Sequence, residues 1–84
     1  MTDTLFQIGG RVLDQAKKGI AGALVDVLDT GARESTDREG RFTFTQISGG
    51  AHTIRAVAVG FQPRQQALAV PGAPEDYVIT LAPL

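Results

Sequence analysis

Four groups of side chains in this sequence could in principle do chemistry: His52, the adjacent Lys17 and Lys18, the acidic pair Asp37-x-Glu39, and Glu75-Asp76. His52 is the only histidine, so a multi-histidine metal site and a histidine dyad are both out of reach. As a lone general base it would need a nucleophile and an orienting acid beside it. It falls at the start of an inward-facing strand row beneath a loop, where a polar-tipped ring packs at a core margin. A structural role is expected. The lysines lie in a turn, and an exposed lysine keeps its proton and is no nucleophile. Asp37 and Glu39 offer two side chains where calcium asks for about six or more oxygens. Glu75-Asp76 precedes a strand and reads as a solvated edge. With no cysteine in the chain, thiolate catalysis, disulfides and cysteine zinc sites go together. Neither an enzyme activity nor a bound cofactor or metal is expected.

The elements that hold these groups are strands. Apolar and polar residues alternate from end to end, broken by glycine, as in short half-buried strands. The first runs from about Leu5 to Leu13, with Phe6, Ile8 and Val12 inward. The second, about Ala23 to Asp29, turns Ala23, Val25 and Val27 inward and Leu24, Asp26 and Leu28 outward. A short polar third strand, Arg33 to Thr36, leads into Asp37-Arg38-Glu39-Gly40. There Asp37 can bond the backbone ahead of it, and Gly40 can take the left-handed conformation of a bulged hairpin turn. A fourth strand carries Phe42 and Phe44 inward and ends at Gly49-Gly50. The fifth, Ala51 to Val59, sets His52, Ile54, Ala56 and Ala58 against Thr53, Arg55, Val57 and Val59. Pro63 keeps the residues after Gly60-Phe61 off any central ladder. A sixth strand spans roughly Arg64 to Val70, and a seventh, about Asp76 to Ala82, presents Tyr77, Ile79 and Leu81. No helical period is sustained. Seven short strands at regular spacing predict an all-β, two-sheet sandwich forming one domain over 1–84.

Composition narrows the partners. The net charge is −1, with both signs interspersed. No basic stripe exists to neutralise phosphates and the aromatics are spaced as core residues, so nucleic-acid binding is not expected. No apolar run approaches the ~20 residues of a membrane helix. Met1-Thr2-Asp3-Thr4 carries an acid where a secretory leader wants a base, so a cytoplasmic protein, one exported with a carrier, and one whose leader has been removed all stay open.

Several blocks resemble a known family. Gly10-Arg11-Val12-Leu13-Asp14, then Lys18-Gly19-Ile20-Ala21-Gly22-Ala23-Leu24-Val25-Asp26-Val27, is similar to the opening of carboxypeptidase regulatory-like domains. Thr36-Asp37-Arg38-Glu39-Gly40-Arg41-Phe42 resembles their Thr-Asp-x-x-Gly-x-Phe hairpin, and Gly50-Ala51-His52-Thr53-Ile54 leading to Gly60-Phe61 completes the order. Gly19 stands where a proline is usual, and His52 where an aromatic is usual. The resemblance implies a transthyretin-like (prealbumin-like) sandwich with Greek-key connections, and an accessory module of larger enzymes, transporters or surface and secretion proteins. Two chemistries of similar sandwiches fail on the residues. Transthyretin-like hydroxyisourate hydrolases use several histidines and a C-terminal Tyr-Arg-Gly-Ser, whereas this chain ends Leu81-Ala82-Pro83-Leu84. Isopeptide cross-links need a buried lysine facing an asparagine or aspartate, and the chain has no asparagine.

The outward rows are the remaining signal. Leu24 and Leu28 on the second strand and Val57 and Val59 on the fifth point away from the core. The resemblance makes those strands neighbours in one sheet, so all four should share an exposed face flanked by Asp26 and Arg55. A contiguous apolar patch on a small domain usually meets something, although single surface aliphatics are ordinary. The expectation is a non-catalytic protein-interaction, adaptor or structural module, an accessory part of a larger assembly or multidomain system. It would dock on another protein or on itself, through this face or by adding a strand at an edge. Carbohydrate or small-ligand binding is the alternative, weakened because Phe6, Phe42, Phe44 and Tyr77 are committed to core rows and only Phe61 is left beside a loop.

Overall fold

A computed structural model describes residues 5–72 and 77–84; the predicted Glu75-Asp76 edge lies outside them. Seven strands follow in order: β1 Leu5–Leu13, β2 Leu24–Val27, β3 Ala32–Ser35, β4 Arg41–Ser48, β5 Gly50–Val57, β6 Arg64–Val70 and β7 Val78–Thr80. They form two sheets, β4-β1-β7 and β3-β2-β5-β6. All pairs are antiparallel except β1 with β7.

The inward rows fill the space between the sheets. Ile8, Val12, Phe42, Phe44 and Ile79 from one sheet meet Val25, Val27, Ile54, Ala56 and Leu68 from the other, all buried. Phe42 and Phe44 sit edge to face, with centroids 5.8 Å apart, the arrangement their ring quadrupoles favour. Ile47 also joins this core, although three residues from Phe44 it breaks strict alternation. An extra residue on β4 accounts for it. Phe6 pairs with Ile47 and Ile8 with Phe44, with the register shifting in between, and Gln46 takes a positive φ of 59°. This bulge restores Ile47 to the inner face.

The second and fifth strands are shorter than the alternation predicts. β2 stops at Val27 because Thr30 and Gly31 both donate backbone hydrogen bonds to the Val27 carbonyl and close a turn. β5 stops at Val57, and Phe61 N donates to Ala58 O to turn the chain. The β7 ladder covers only Val78–Thr80, yet Tyr77, Ile79 and Leu81 are all buried as the alternation requires.

The loop Asp37–Gly40 is a tight hairpin turn. One Asp37 carboxylate oxygen accepts from the backbone N–H of Glu39 and of Arg41, each at 2.9 Å. The Arg41 bond foremost, then that of Glu39, holds the Asp37 carboxyl below its usual range. The same turn packs on the β1–β2 connection: Val12 N donates to Gly40 O and Ile20 N to Val12 O. A Cβ on Gly19 would fall 1.9 Å from the Glu39 carbonyl, so the backbone has no room there for the ring of a proline.

Candidate functional site

The outer face of the four-stranded sheet is organised in three rungs, read from the cross-strand register. The first places Ser35, Leu24 and Val57 side by side; the second holds Arg33, Asp26, Arg55 and Gln65. The third begins with Leu28, whose N–H donates to Thr53 O, and continues through Thr53 to Ala67. All six residues singled out in the sequence, Leu24, Asp26, Leu28, Arg55, Val57 and Val59, lie on or beside this face.

The face is not one apolar patch. Leu24 is 40% exposed and Val57 half-buried beside it, and Val59 stands at 101% in the turn after β5. With Gly22 and Ala58 they line a shallow concavity of about 260 Å³. Leu28, at 46% exposure, lies four residues from Leu24 along an extended chain, about 13 Å away. The charged rung runs between them. Asp26 accepts from Arg33 Nε at 2.6 Å, a contact the sequence pattern leaves open because β3 looked merely polar. So Asp26 and Arg55 divide the aliphatic residues into a cluster and an outlier.

Two anchors fix the ends of β2. At its start, the buried Thr36 hydroxyl accepts from Ala23 N–H at 2.8 Å and donates to the Ile20 carbonyl at 2.5 Å. Thr36 N–H also donates to Ala23 O. Beyond its end, Asp29 reaches across the sheet: Oδ1 accepts from Thr53 N–H at 3.1 Å, and Oδ2 lies 2.5 Å from His52 Nδ1. His52 Nε2 faces the Ser48 carbonyl at 2.7 Å. His52 is thus buried and bonded at both ring nitrogens, with an acid on one side and a backbone carbonyl on the other. The Asp29 partnership is the contact that strand alternation misses, since Asp29 reads there only as the end of the second strand.

The outer face of the other sheet is polar. Gln7, Arg11, Arg41, Thr43 and Thr45 are all exposed. Gly9, which carries no side chain, leaves a groove of about 380 Å³ between Arg11, Arg41, Thr43 and Val78. Both arginines engage Glu39: Arg11 donates to its carbonyl, and Arg41 lies 3.1 Å from its carboxylate. Phe61 is packed partly buried against the core, so it offers no free stacking face. Lys17 and Lys18 are exposed in the β1–β2 turn. Among the described residues, no three histidine, cysteine or acidic side chains gather as a metal site, and no helix is long and apolar enough to cross a membrane.

Comparison with known proteins adds one finding. A family model described as the carboxypeptidase regulatory-like domain matches residues 7–82, which takes in β1 from Gln7 onward, the other six strands and both anchors of β2. No curated protein matches the chain.

Proposed function

We propose that this chain, which belongs to the carboxypeptidase regulatory-like domain family, is a non-catalytic interaction module that docks on another protein through the outer face of its four-stranded sheet. The observation that carries this reading is the cluster of Leu24, Val57 and Val59 around a concavity, on a face whose β2 backbone is anchored at both ends. A rigid face loses little conformational entropy on binding, which is where much of an interface's gross energy goes.

Magnitudes define how much of the face is needed. The cluster exposes apolar area of order 200 Å², and covering it yields about 5 kcal/mol gross. Association alone costs roughly 4–15 kcal/mol, and a standard interface covers ~800 Å² per partner. The cluster is therefore an anchor, and the charged rung and Leu28 must be covered with it. Arg33 and Arg55 flank Asp26 on that rung and give the partner polar register.

The test compares capture from an extract of the native host by the wild-type chain and by a Leu24→Glu/Val59→Glu variant. An Arg41→Glu variant on the opposite sheet serves as control. A partner that is retained by wild type and control and lost from the double variant supports the reading. Equal recovery by all three refutes it. A second reading, binding of a small polar ligand, is favoured by the groove over Gly9. Shift changes of Gly9, Thr43 and Val78 amides in a saccharide screen, absent in Gly9→Val, would support it.

A further inference from the structure

Neutral imidazole has one N–H and one lone pair, so it satisfies one acceptor and one donor. His52 meets two acceptors. Nε2 faces the Ser48 carbonyl, which cannot donate, and Nδ1 faces an Asp29 carboxylate. Asp29 cannot supply the missing proton, because its carboxyl is held below its usual range, first by the Thr53 N–H and then by His52. The ring's side chain is only 5% exposed, so water cannot readily reach its nitrogens, whereas the Asp29 carboxylate is open to solvent on its other side. The arrangement is complete only when both ring nitrogens carry protons.

We propose that His52 is a proton-operated latch: as imidazolium it ties the turn after β2 to the turn between β4 and β5, and loss of one proton releases those turns while the two sheets stay paired. The segments joined are distinct in sequence. Asp29 opens the β2–β3 turn, Ser48 ends β4, and His52 sits on β5. With the proton gone, a buried lone pair faces an oxygen, and either the Ser48 or the Asp29 contact must open. The turns can then move at small cost, since Gly31, Gly49 and Gly50 flank them. The inner rows of β2 and β5 are held by separate ladders.

The surrounding charges favour the closed form. Among the described residues Asp29 is the charged group bonded to the ring. β4 contributes a neutral carbonyl, the cross-strand partner on β6 is Leu68, and Tyr77 spends its hydroxyl on Ala69 O. The Ser48 carbonyl first, and then Asp29, raise the His52 pKa above its ordinary value against the opposing effect of burial. A group with a raised folded pKa stabilises the fold fully below the unfolded value, and that contribution fades as pH rises through the folded value. The latch is closed in mild acid and opens as pH rises beyond His52's ordinary titration range.

The experiment is a pH titration of the whole chain by nuclear magnetic resonance, following the His52 ring nitrogens and amide exchange protection together. Below the midpoint both nitrogens should show imidazolium shifts, with the midpoint above that of the urea-unfolded chain. Above it, protection factors of the Thr53 and Leu28 amides should fall at least tenfold while those of Val25 and Ile54 stay level. Asp29→Asn should lower the midpoint, and His52→Gln should abolish the pH dependence of Thr53 protection. A midpoint at or below the unfolded value, or protection at Thr53 that does not change across it, overturns the proposal. The wild-type titration decides the matter even if neither variant folds.

Discussion

Replacing Thr36 by valine keeps the shape of the side chain and deletes one oxygen. That oxygen is the partner of two buried backbone groups, the Ala23 N–H at 2.8 Å and the Ile20 C=O at 2.5 Å. Thr36 itself is 6% exposed, so water has little access to take over. Each orphaned group costs about 1–3 kcal/mol, which sums to about 2–6 kcal/mol. The extra methyl of valine returns at most about 0.8 kcal/mol. The net expectation is a loss of about 1–5 kcal/mol. A domain of this size holds roughly 4–13 kcal/mol in all, so the variant should be marginal.

The control is Thr36→Ser, which keeps both hydrogen bonds and loses a methyl group worth about 1 kcal/mol. Urea unfolding followed by circular dichroism separates the two. With a slope of ~1 kcal/mol per M, the valine variant should lose about 1–5 M in midpoint and the serine variant at most about 1 M. The order matters more than either value. If valine proves as stable as serine, the hydroxyl is not the bolt between the β1–β2 connection and β3.

Other outcomes follow from the same geometry. Gly40→Ala should cost about 2–5 kcal/mol, about 1–2 of it for a left-handed residue and ~1–3 for overpacking. The remainder comes from a Cβ placed 2.5 Å from Val12 O and 2.7 Å from Ile20 N. Gly22→Ala, at a similar φ of 73° with nothing within 4 Å, should cost only the conformational part, and equal thermal midpoints for the two would contradict this. Asp37 and Asp29 both have depressed pKa values, so their stabilisation is present above the ordinary carboxylate pKa and is lost as pH falls through the folded values. Acid unfolding of Asp37→Asn, which loses that charge at every pH, should therefore be shallower than that of wild type; identical acid limbs would count against the turn's role.

Much of the sandwich was legible because its signal is a period of two. Val25, Val27, Ile54, Ala56, Tyr77, Ile79 and Leu81 all fall inward as alternation demands, and β6 matches its predicted span from Arg64 to Val70. Asp37 and Gly40 announced their turn by chemistry that only those residue types perform. What alternation cannot carry is anything that shifts its phase or crosses between strands. Ile47 is core only through the bulge at Gln46. Thr36, the polar end of a polar strand, is buried because its hydroxyl serves another segment. The division of the outer face needed the cross-strand register, which sets Asp26 between Arg33 and Arg55.

The two anchors of β2 differ in kind, and that difference bears on what the docking face can do. The Thr36 anchor is made of neutral groups that do not titrate in water's accessible range, so the Leu24 end of the strand is fixed under all ordinary conditions. The Asp29–His52 anchor depends on a proton, and Leu28 is bonded through its N–H to Thr53, the residue that also donates to Asp29. A partner seated on the Leu24–Val57–Val59 cluster therefore meets a surface that pH leaves alone. One that also covers Leu28 meets a surface whose geometry follows the state of the imidazole. Four residues of strand separate a constant contact from an adjustable one, and only the second would give the proposed docking face a means of releasing a partner.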